Sequence, residues 1–168
     1  PKRFTLDLLN VILGEGMSSR LFLEVRDKLG LAYNVHSYLD HFHDTGAITL
    51  YAGVEPKNLV VSLEAILKQL TLLKEPVPQE ELTKAKELSK GRLMLRMEDS
   101  RSVAGWIGGQ ETLNGTIMTV EEVIEKIDVV TAEEMAELAS ELFNEDKLRL
   151  SVVGPVKDGE GLADLLKI

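Results

Sequence analysis

Residues 13–35 read LGEGMSSRLFLEVRDKLGLAYNV, and the reading of the flanking chain depends on them. Gly14-Glu15-Gly16 is a break that neither a helix nor a strand interior favours. After it, Ser18 is placed to cap a helix over 19–29, where Leu21, Phe22, Val25 and Leu29 recur on one face. Met17, just before that cap, is expected to pack on Phe22 as a hydrophobic staple. Gly30 stands where a helix ends in the left-handed conformation. Beyond it, Ala32-Tyr33-Asn34-Val35 opens a run rich in aromatic and β-branched residues, which is a strand signal.

Working outward, residues 4–13 (FTLDLLNVIL) form an opening helix with Leu8, Leu9, Ile12 and Leu13 near helical spacing. Strands over 32–42 and 46–54 are expected to pair as a hairpin across the polar turn at 43–45. A helix over 58–74 follows, its buried face marked by Val60, Leu63, Leu67 and Leu70. Pro76 and Pro78 end it, and helices over 79–98 and 100–113 come next, the second weakened by Gly108-Gly109. Thr119 with Glu122 and Thr131 with Glu134 are capping boxes that open two further helices. Residues 148–153 (LRLSVV) read as a last strand, and Gly159 and Gly161 loosen a tail over 154–168.

The expected fold class is α+β, a single domain over 1–168. It is a two-layer α/β sandwich with a mostly antiparallel sheet and helices packed on one face. Three strands are thin cover for so many apolar helix faces, which suggests a further strand ahead of Pro1.

The 168 residues carry 19 Lys and Arg against 28 Asp and Glu, a formal charge of −9. Such a surface is a poor match for nucleic acid, which binds clustered positive charge. No apolar run approaches the roughly 18 residues of a membrane helix, so no membrane partner is expected. Cysteine is absent, which excludes thiolate metal sites and disulfides and favours the cytoplasm. The start, Pro1-Lys2-Arg3-Phe4, has neither an initiating Met nor a signal-peptide core, and reads as a fragment of a longer chain.

Few residues are arranged for chemistry. His41 and His43 are two apart, share a strand face, and could ligate a metal, but no third ligand is identifiable and a polar hairpin tip is the favoured reading. Neither H-x-x-E-H nor H-E-x-x-H occurs, so no metal ligands and no catalytic base are expected in this chain. The glycine turn lacks the spacing of a phosphate-binding loop, and there is no G-x-S-x-G nucleophile elbow.

The stretch over 13–35 nonetheless resembles the start of the carboxy-terminal domain in the pitrilysin, insulinase and mitochondrial processing peptidase family of inverted zincins. The features it shares are the glycine turn, Met17-Ser18-Ser19-Arg20-Leu21-Phe22, and Gly30-Leu31-Ala32-Tyr33. A looser match runs through 80–114 and 131–143 to 148–153. The resemblance implies the substrate-binding half of a zinc-dependent metallopeptidase, without cofactor itself and lacking the strand with which the family's domain begins. The implied partners are an amino-terminal homologous domain holding Zn2+, a peptide substrate, and a second subunit in a homodimer or heterodimer.

The resemblance also implies site residues. Arg26 and Tyr33 match the pair that lines the family's catalytic chamber, so the two side chains should converge on one concave surface. Tyr33 would donate a hydrogen bond near the scissile carbonyl, and Arg26 would anchor backbone carbonyls or orient Tyr33. Read without the resemblance, Arg26 is equally a solvated residue flanking a helix stripe. By alternation, Tyr33 is equally a core residue beside Val35 and Ser37. On the same strand, Ser37→Ala is the control substitution, expected to change turnover little. A non-catalytic scaffold subunit and a stand-alone peptide-binding module are the rival functions.

Overall fold

The first helix becomes the centre of the molecule. In the computed structural model, which describes residues 2–42, 44–156 and 161–168, α1 (Arg3–Gly14) buries Leu8, Leu9, Val11, Ile12 and Leu13. A helix apolar on nearly every side must be covered on every side. Strand β1 (Ala32–His41) lies against one flank of α1. On the others lie α3 (Gln79–Arg96), α5 (Val120–Asp128) and α6 (Ala132–Leu142). Between α1 and β1 runs a short π-helix, Phe22–Lys28, with residues 20 and 21 already helical ahead of it.

β1 and β2 (Gly46–Val54) form an antiparallel hairpin, with His41 opposite Gly46 and Ala32 opposite Val54. One face, carrying Val35, Ile48, Leu50 and Ala52, joins the core against α1, and the other face is open. A lone hairpin is marginal in water, so this one depends on its helix cover. The remaining elements are α2 (Leu59–Leu72), α4 (Ser100–Asn114) and α7 (Leu162–Leu165), the last packed on α2. The fold is therefore α+β, with an antiparallel sheet and helices on one of its faces, as the sequence indicates.

The capping signals translate directly. The hydroxyls of Thr119 and Thr131 accept from the backbone N–H of Glu122 and Glu134 at 3.2 Å, and each glutamate accepts in return from the threonine N–H. These reciprocal bonds satisfy donors that a helix start leaves unpaired.

Four local expectations need correction. Residues 148–153 form no strand among the described residues; Val153 is 99% exposed. Strand propensity has no outlet without a neighbouring ladder, and the sheet here has two strands rather than three. Met17 is 77% exposed, so it makes no staple, and the hydroxyl that closes the turn belongs to Ser19, which donates to the Gly16 carbonyl at 2.7 Å. Leu29 is 43% exposed because the wider π-turn rotates it off the buried stripe. Val60 is likewise 43% exposed, and Leu73 takes a place in the core that the helical pattern did not assign.

Candidate functional site

Two local irregularities bring Arg26 and Tyr33 together. The π-helix is wound with a longer hydrogen-bond step, seen where the Leu29 N–H donates to the Glu24 carbonyl at 3.0 Å. Such turns are rare and often mark functional positions. Gly30, at φ 61°, then reverses the chain into β1. At the start of β1 the pairing slips, with Ala32 opposite Val54 but Asn34 opposite Gly53. Tyr33 is the extra residue of this β-bulge. Ala32 and Val35 are both buried while Tyr33 is 83% exposed, so the bulge breaks the alternation that would have placed Tyr33 in the core.

The result is a three-part stack. The Arg26 guanidinium carbon lies 4.7 Å from the centre of the Phe22 ring and 4.5 Å from that of Tyr33. Both distances are within the range of cation–aromatic attraction. Among the described residues, Arg26 has aromatic neighbours and no carboxylate partner, so its N–H groups are not spent on an ion pair. Phe22 was placed in the helix stripe by periodicity but not in the site. Its position four residues before Arg26 was the available signal, since such pairs touch on a helix. The Tyr33 side of the stack faces open solvent.

The glycine corner that carries the chain from α1 to the π-helix is held by a polar chain. The buried Ser37 hydroxyl donates to Asn10 Oδ1 at 2.7 Å, and Asn10 Nδ2 donates to Glu15 Oε2 at 3.1 Å. Glu15 also pairs with the Arg92 guanidinium of α3. Arg20, one residue beyond the serines, makes a two-pronged ion pair with Glu81, at 2.9 and 2.7 Å, and locks the π-helix onto α3. Ser37 is thus a buried framework residue.

The histidine pair gives no metal site that can be described. His43 lies outside the described residues, and His41 Nε2 stands 3.2 Å from Asp7 Oδ1 on α1. Burial raises the Asp7 carboxyl above the ordinary aspartate range, against the opposing pull of Arg3 and His41. Among the described residues, no group of three His, Cys, Asp or Glu side chains could hold a metal ion.

The chain is thus an α+β domain that presents an arginine stacked on an exposed tyrosine beside a hairpin. Residues 1–89 match the family model described as the peptidase M16 inactive domain, and the chain belongs to that family. It is 39% identical over 153 residues to a Bacillus subtilis protein named as the zinc protease YmxG, covering 90% of this chain and 37% of that protein. A Mycobacterium leprae protein, also named as a zinc protease, is 35% identical over 99% of this chain and 37% of its own length.

Among solved structures, a conserved protein from Enterococcus faecalis superposes with a TM-score of 0.76 at 29% identity, over 82% of this chain and 32% of that one. A peptidase M16 inactive domain from Pseudomonas fluorescens gives a TM-score of 0.76 at 24% identity, over 84% of this chain and 34% of its own, and speaks for the fold alone. The chain spans little more than a third of the length of the curated relatives it matches.

Proposed function

We propose that this chain is the substrate-binding half of a zinc-dependent peptidase, with Arg26 and Tyr33 as the residues that meet the peptide. The observation that carries the reading is the stack itself: a guanidinium held between two rings, beside a phenol open to solvent. The Tyr33 hydroxyl would donate to the carbonyl oxygen of the scissile bond, where negative charge develops. Arg26 offers a planar set of N–H donors, and stacking fixes the plane so that little freedom is lost when backbone carbonyls dock.

Among the described residues, none form a cluster that fits a zinc ion. The metal belongs on this reading to an amino-terminal homologous domain of the full-length subunit, across the substrate from the stack. That domain would also supply the second wall that the open Arg26–Tyr33 surface requires. The names of the curated relatives support this assignment of zinc chemistry to the whole protein.

The test is Arg26→Ala in the full-length subunit. Loss of hydrogen bonds from a charged donor should raise KM for peptide about ten- to a hundredfold, with little change in melting temperature, since Arg26 is not a core residue. Arg26→Lys should not restore binding, because an ammonium has no plane to lie between Phe22 and Tyr33. A normal KM together with a lowered melting temperature would make the stack structural and end its assignment as the peptide-binding site.

A further inference from the structure

All three tyrosines of the chain stand exposed on the hairpin: Tyr33 at 83%, Tyr38 at 44% and Tyr51 at 49%. An aromatic side chain can bury some 150–250 Å2, so a small domain normally invests its tyrosines in the core. Here they form a strip on the sheet face that α1 leaves open. His36 stands opposite Tyr51 in the register and lies between the other two rings, 5.2 Å from Tyr51 and 6.0 Å from Tyr38, tilted by 32° and 31°. Its Nδ1 is 3.1 Å from Asn34 Oδ1, which holds the imidazole in that position.

Gly53 connects the strip to the Arg26–Tyr33 stack. It pairs with Asn34, the neighbour of Tyr33, and has no side chain of its own. The place a Gly53 Cβ would occupy is 3.7 Å from the Tyr51 hydroxyl oxygen and 3.9 Å from the Asn34 carbonyl oxygen. The Tyr51 ring therefore lies down along β2 toward the bulge, over a residue small enough to permit it. At a rise of about 3.3 Å per residue, the His36–Tyr51 pair is about 10 Å from Tyr33, the span of about three residues of extended peptide.

We propose that Tyr51, backed by His36, is a specificity-determining residue of the same peptide-binding surface. It would form a subsite for an aromatic side chain about three residues from the scissile bond. This rests on the Arg26–Tyr33 reading for the position of that bond. The occupant is chosen by the ring geometry: offset, tilted rings already run from Tyr38 through His36 to Tyr51, and one more ring continues the series.

The experiment uses the full-length subunit and matched peptides that differ only at the position two to four residues from the cleaved bond, bearing Phe, Lys or Ala. The wild-type protein should favour Phe over Ala and Lys by about three- to tenfold in kcat/KM, the range of one aromatic contact. Tyr51→Ala should erase that preference, bringing kcat/KM for the Phe peptide down to that for the Ala peptide. A preference for Lys, no preference at all, or an equal loss on every peptide would overturn the proposal. Tyr33→Phe on the same peptides should lower kcat throughout and preserve the Phe to Ala ratio. Full activity of Tyr33→Phe with that ratio intact would remove the assigned position of the bond but leave the subsite standing.

Discussion

Tyr33→Phe in the full-length subunit is expected to lower peptide turnover about a hundred- to a thousandfold, the cost of removing one oxyanion donor. The structure makes this variant unusually clean. The ring is 83% exposed, so the hydroxyl supports no core packing. Phenylalanine keeps the face on which the Arg26 guanidinium lies 4.5 Å away, so the arginine should hold its place. The loss should fall on kcat with KM nearly unchanged, because a bond made to developing charge is weak in the ground state. Tyr38→Phe is the control, since it removes a hydroxyl from the same strand. Ser37→Ala would mislead, because it cuts a buried hydrogen bond to Asn10. Turnover of Tyr33→Phe at the wild-type rate would end the catalytic role assigned to this residue.

Gly14→Ala should cost the fold about 3 kcal/mol, at the upper end of what overpacking does in a well-filled interior. A methyl at this position would stand 2.4 Å from the Ser37 backbone nitrogen and 2.5 Å from its hydroxyl oxygen. A backbone atom cannot rotate away, so α1 and β1 must separate. Separation would break the Ser37–Asn10 hydrogen bond and open the layer around Leu13, which is fully buried. In a domain of this size the loss corresponds to a fall of about 6–12 °C in melting temperature. Gly105→Ala and Gly108→Ala in α4 provide the contrast, because nothing lies within 4 Å of a methyl at either site. Alanine there should hold or gain up to about 1 kcal/mol. Equal melting temperatures for Gly14→Ala and the parent would refute the close-contact account.

Much of this architecture is legible in the chain because its signals are local. Helical spacing, two capping boxes, a proline start and a left-handed glycine stop each depend on a few adjacent residues. The illegible features depend on partners distant in sequence. Residues 148–153 have strand composition, but a strand exists only beside another. Met17 fits a staple in pattern and stands in solvent in fact. The Arg26–Tyr33 pairing was readable only through family resemblance. Alternation placed Tyr33 inside, and nothing in the one-dimensional pattern announces a bulge at that residue or a π-turn seven residues before it. Gly14 shows as a helix break, whereas its closest demand, room for Ser37, comes from a strand more than twenty residues later.

The π-turn and the bulge share a further consequence, one of chain length rather than chemistry. Each accommodates one residue beyond what a regular helix or a regular ladder would take. The geometry of the stack therefore depends on how many residues lie between Phe22 and Asn34, as well as on which residues they are. Dropping one residue from the helical side would turn every later side chain by about 100° around the axis. Dropping Asn34 from the strand would abolish the bulge and put Tyr33 itself opposite Gly53 in a regular ladder. Substitutions in this segment can be conservative; a single-codon insertion or deletion here cannot.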